Sequence, residues 1–164
     1  MLRPLVFVTA VVVGIATAGP ASAQALVPSR QLGADVANGI AMATIEQCRK
    51  DGFRVSVAIV DRAGNLQVLV RDAGSGPHTV STAQRKAFTS ATFGISSAEF
   101  ANRTANPAAA GLKEITGVIA LGGALPIRAG NELIGGIGVG GAPGGDKDEA
   151  CAAAGINKFA DQLK

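Results

Sequence analysis

His78 is the single histidine of the chain. It stands in a loop of small residues, just before a segment that reads as a helix. Neutral imidazole is the form that ligates a metal. Arg85 follows seven residues later, close to two helical turns, so it falls on the same face about 10 Å along the axis. That separation suits a cation meeting an acidic arm of a ligand whose metal meets His78. An exposed helix-start histidine beside a solvated arginine is the plainer reading of the same residues. Arg85-Lys86 equally reads as a solvated helical face or an anion site. Asp148 and Glu149 have the chemistry for acid–base work with Lys86, yet acids that open a helix are also explained by its dipole.

Other chemistries are excluded or weakened. One histidine rules out a two-histidine metal site. No Gly-x-Ser-x-Gly elbow is present, and no cysteine lies near His78. Gly136-x-Gly138-x-x-Gly141 is formally a dinucleotide fingerprint, but its glycines sit inside a strand pattern rather than in a turn that opens a helix. Glycine in a strand marks close approach of another backbone; a flat ligand is the lesser use of the same space. Cys48 and Cys151 offer one disulfide or two buried thiols, and no Cys/His spacing suits structural zinc.

The elements that must position these residues read in the order α-β-β-α-α-β-β-β-α. A helix is expected over Ser29–Asp51, with Leu32, Val36, Ile40 and Ala43 as its buried stripe and Gly52 as its stop. Phe53–Val60 and Leu66–Val70 read as a hairpin, joined by the tight turn Asp61–Asn65, in which Gly64 and Asn65 are able to take positive φ. A second helix spans Thr79–Phe93, and Val80, Ala83, Ala87 and Ala91 give it a thin face. Ser96 with Glu99 is a capping-box pattern for a short third helix. Pro107–Ile115 is a loop with one helical turn. Gly117–Leu121, Leu125–Arg128 and Glu132–Val139 read as strands, Gly140–Gly145 as a glycine-rich loop, and Asp146 opens a last helix striped by Ala153, Ile156, Ala160 and Leu163. Hairpins dominate, so the class is α+β with a mostly antiparallel sheet.

Composition bounds the rest. The 164 residues are 48% hydrophobic, 16% charged and 4% aromatic, with net charge +3 and 22 glycines. That excludes a disordered tail. Six Phe with no Trp or Tyr argue against a base-stacking nucleic-acid module. Residues 1–23 read as a cleaved signal peptide: Arg3, the apolar run Leu5–Ala18, a Gly19-Pro20 break and the site Ala21-Ser22-Ala23. The run is short of the roughly 20 residues a membrane span needs. Residues 24–164 are then expected to form one domain, periplasmic or secreted, with no membrane span.

Four segments carry a family resemblance. They are Val57–Leu66, Ala83–Ala91 with its Lys86-Ala87, Gly122–Ile127, and Ile134–Gly141 followed by Asp148-Glu149-Ala150-Cys151. In order and spacing they resemble the GlcG/HbpS-like family, to which the C-terminal domain of PduO-type corrinoid adenosyltransferases is related. The resemblance covers about Leu32 to Leu163; Gly140 departs from it, standing where the family usually has Ser. It implies a profilin-like fold with a five-stranded antiparallel sheet flanked by helices, assembly into a dimer up to an octamer, and haem as cofactor. Carried onto this chain, His78 is the axial ligand to haem iron, Arg85 or Lys86 pairs with propionates, and Phe88, Phe93 or Phe100 gives apolar cover. Two other functions stay open: a small-molecule binder or enzyme using Lys86 and Asp148, and an oligomeric accessory protein without a ligand.

Overall fold

The computed structural model describes residues 27–164; the signal-peptide reading of residues 1–23 lies outside them. Its helices are α1 (Ala34–Lys50), α2 (Thr79–Phe93), α3 (Ser97–Thr104) and α4 (Gly145–Lys158). Its strands are β1 (Ser56–Asp61), β2 (Leu66–Arg71), β3 (Ala124–Ala129) and β4 (Glu132–Gly140). Short 3₁₀ segments occupy Pro107–Glu114 and Ala160–Gln162. The strands form one antiparallel sheet in the order β2-β1-β4-β3. The α+β class is as expected.

The sheet has four strands among the described residues, not five. Gly117–Leu121 carries a strand-like sequence but joins no ladder. Side chains of α2 take its backbone groups instead. The Ile119 amide donates to Thr89 Oγ1 at 2.9 Å, and Arg85 donates to the Val118 carbonyl at 2.7 Å. At Val118 and Ile119 these bonds stand where ladder bonds to a partner strand would be. α1 also begins later than Ser29, because Gly33 is extended at its N-cap and Arg30 is tied to Glu132 and the Ala129 carbonyl. α4 ends at Lys158, so Ala160 and Leu163 lie beyond its stripe.

The two faces of the sheet pack differently. On one face Val57, Ile59, Ile137, Val139 and Ile127 meet Ile40, Ile45 and Ala152 of α1 and α4. Cys48 of α1 and Cys151 of α4 are fully buried there and joined by a disulfide. On the other face α2 lies directly on β4. A Cβ at Gly138 would come within 2.1 Å of the Ala83 carbonyl oxygen, and one at Gly136 within 2.5 Å of that of Ala87. These strand glycines therefore serve helix–sheet packing, and Ala58, Val60, Ala83, Ala87 and Ala91 complete that small-residue layer.

The β1–β2 turn shows how local chemistry sets the hairpin. Asp61 Oδ1 accepts from the Ala63 and Asn65 amides at 2.9 and 2.8 Å, and Oδ2 from Asn65 Nδ2 at 3.0 Å. Of the two residues able to take the left-handed position, Gly64 does so, at φ 84°, and Asn65 does not.

Candidate functional site

The stacking of α2 on β4 leaves a cleft where the start of α2 faces the loop between β4 and α4. Its volume is about 330 Å³. Thr79, Thr82 and Lys86 come from α2, with His78 at its edge. Leu121 and Gly122 form the facing wall, and Gly140–Gly145 with Asp148 form the floor. Backbone makes up much of this lining, because six of its residues are glycines.

His78 is exposed and occupies the N-cap of α2. Its carbonyl oxygen accepts from the Thr82 amide at 3.1 Å and from Thr82 Oγ1 at 2.8 Å, which starts the helix. Its ring caps nothing. Nδ1 and Cε1 face Gly76, where a Cβ would lie 3.0 and 2.8 Å from them. Nε2 is therefore the ring nitrogen turned away from that glycine.

Lys86 and Asp148 sit deeper, with side chains 3% and 2% exposed. Lys86 Nζ donates to Asp148 Oδ2 at 2.8 Å and to the Val139 carbonyl at 2.9 Å. Asp148 Oδ1 accepts from the Ala142 amide at 3.1 Å. Burial pushes the Asp148 carboxyl above the usual carboxylate range, against the hydrogen bond and charge of Lys86. The dipole reading of Asp148 is therefore incomplete: its side chain is spent on a buried cation and a loop amide. Glu149 likewise accepts from the Ala98 and Gly123 amides at 3.1 and 3.2 Å, which ties α3 and the entry to β3 to α4.

Of the residues singled out for a ligand, the structure brings His78 and Lys86 to one cleft and leaves four elsewhere. Arg85 is exposed on another flank of α2 and bonds Val118. Phe88 packs between Gly64 and Gly117, beside Arg85. Phe93 and Phe100 stack on each other, ring centroids 4.5 Å apart, and do not line the cleft. The two-turn spacing read from His78 to Arg85 is instead made from Thr79 to Lys86, because His78 flanks the helix rather than belonging to it. A helical stripe of Thr79, Thr82 and Lys86 was the signal for this face. Nothing in the sequence marked Leu121 and Gly122 as the opposite wall.

Among the described residues no three of His, Cys, Asp and Glu gather as a metal site, and no helix is long and apolar enough to cross a membrane. Residues 32–157 match the family model described as haem degrading protein HbpS-like. No curated protein matches the chain. A crystallised double mutant of Streptomyces reticuli HbpS is 40% identical with a TM-score of 0.79, the match covering 89% of this chain and 99% of that one. Klebsiella pneumoniae ORFY is 21% identical at TM-score 0.78, over 85% and 98% of the two chains. PduOC, crystallised as a haem complex, is 23% identical at TM-score 0.71, over 78% and 94%. The last two carry the fold alone. With its antiparallel sheet, the glycine-floored cleft and a family match over most of its length, this chain belongs to the HbpS-like family.

Proposed function

We propose that the protein binds haem at the cleft, with His78 as the axial ligand to iron and Lys86 facing an anionic edge. The observation that carries this reading is the exposed imidazole at the mouth of a glycine-floored cleft, its ring free of any capping bond. The donor set fits the group. A bare cation needs several protein ligands, whereas haem iron brings four nitrogens and asks the protein for one or two. Lys86 fits the other end: an ammonium has three N–H bonds, and two are used within the protein. The haem-degrading description of the matching family and the haem complex of the structurally similar PduOC support the same ligand class.

A cleft of about 330 Å³ is at the small end of ligand sites, so it holds an edge of the macrocycle rather than all of it. Bound haem would supply a redox-active iron; the chain's own part is to ligate it, orient it and shelter one edge. Carriage, storage or sensing of haem outside the cytoplasm is the role in this reading, supported by the signal-like residues 1–23 and a buried disulfide. Assembly of several copies belongs to the same reading, since the five Phe after residue 23 cannot cover a large apolar ring and those near α2 are used elsewhere. Haemin titration followed by absorbance tests the ligand. The expected result is a saturable Soret shift that His78→Ala removes while the fold, followed by circular dichroism, is unchanged. A Soret shift identical in His78→Ala refutes the ligand assignment, and no shift in the wild type refutes haem.

A further inference from the structure

Asp148 is poorly explained as a ligand group. Its two oxygens are already used, one by Lys86 and one by the Ala142 amide of the glycine loop. Lys86 in turn reaches the Val139 carbonyl, the penultimate residue of β4. One carboxylate thus joins α2, the end of β4, the loop and α4. Room for this junction comes from Gly123, at φ 127°, where a Cβ would stand 2.5 Å from Lys86 Nζ and 2.9 Å from Asp148 Cβ. No other side-chain acceptor fixes the loop between Gly140 and Gly145: the Ala142 amide is its one side-chain bond among the described residues.

We infer that Asp148 is a positioning residue for the cleft, which holds the glycine-loop floor and the Lys86 ammonium in register with His78 at the N-cap of α2. The assignment rests on the haem reading for what the cleft holds, but not for the loop itself. A plain stabilising ion pair makes a different forecast, because replacing a buried pair with apolar residues is often neutral or stabilising. Two double variants separate the cases. K86M/D148N removes both charges and keeps an oxygen for the Ala142 amide; K86M/D148L removes both charges and the acceptor.

The first readout is amide hydrogen exchange at Ala142 without ligand. It is expected to be about tenfold faster in K86M/D148L than in K86M/D148N, the loss of one hydrogen bond. The second is haemin affinity, expected to fall by a similar factor between the two variants, with unfolding temperatures compared to show that stability does not account for it. Equal exchange at Ala142 in the two variants overturns the positioning role. If exchange differs but haemin binds both alike, the loop is held without serving the cleft, which also overturns it. If the wild type fails to bind haemin, the haem reading fails, and the exchange comparison still decides the loop. Should either variant not fold, the wild type alone decides: Ala142 must exchange more slowly than Gly144, whose amide has no acceptor among the described residues, and equal rates overturn the role.

Discussion

At the scale of single residues, charge is managed in two opposite ways. Asp72 is 5% exposed and forms a two-pronged pair with Arg49, at 2.9 and 2.6 Å, with Arg54 at 3.6 Å. The Arg49 hydrogen bonds hold its carboxyl below the ordinary value of 3.8. A carboxyl depressed in the folded state contributes stability above its unfolded pKa and loses it as pH falls through the folded one. Asp148 has the opposite sign: with its carboxyl raised by burial, its contribution is present below the unfolded value and is lost as pH rises through the folded one. Loss of the Asp72 contribution is expected to lower denaturant midpoints below about pH 4, against the opposing contribution of Asp148. Asp72→Asn should flatten that drop while lowering the neutral-pH midpoint. A variant with the same acid slope as the wild type would show that Asp72 is not its source.

At the scale of elements, α1 and α4 are held by both packing and a covalent link. A Cβ at Gly155 of α4 would stand 2.0 Å from Thr44 Oγ1 of α1, so the helices meet nearly backbone to backbone. The Cys48–Cys151 disulfide crosses that contact and closes a separation of 103 residues. A loop of that length implies about 4–5 kcal/mol from restriction of the unfolded chain. Both sulfurs are buried, so reductant should act slowly on the folded protein and fully once it is unfolded. Reduced protein is expected to melt on the order of 15 °C lower; unchanged melting would mean that the α1–α4 packing suffices by itself. Spacing alone leaves both the bridge and two free thiols open. The choice depended on two helices of distant sequence meeting at one point.

At the scale of the whole molecule, the proposal of an exported, assembled protein is tested by two masses. Intact mass spectrometry of protein recovered from the export compartment should give a chain beginning at Gln24. Light scattering of the same sample should give a multiple of that chain mass. A full-length chain argues against cleavage, and a monomer mass argues against assembly. Three of the glycines have a specific cause at this scale: at both major helix contacts, α2 on β4 and α4 on α1, a Cβ at Gly136, Gly138 or Gly155 would collide with the facing helix.

The α2 span, the first hairpin, the α3 cap and the β3–β4 pair were legible in the sequence. Each rests on local rules: turn residues, caps and periodicity within one segment. Such rules also placed His78 at the head of a helix. Three things were decided by tertiary structure. Gly117–Leu121 joins no ladder, and Arg85 and Thr89 of α2 bond its backbone at Val118 and Ile119 instead. Lys86, not Arg85, entered the cleft because the direction of α2 over β4 selects which helical stripe faces inward. Asp148, a plausible cap by composition, became a buried partner because the start of α4 lies by the end of β4, where Lys86 of α2 and the Ala142 amide reach its carboxylate. Periodicity gives a residue's angle about its own axis; what lies opposite depends on packing between segments far apart in the chain.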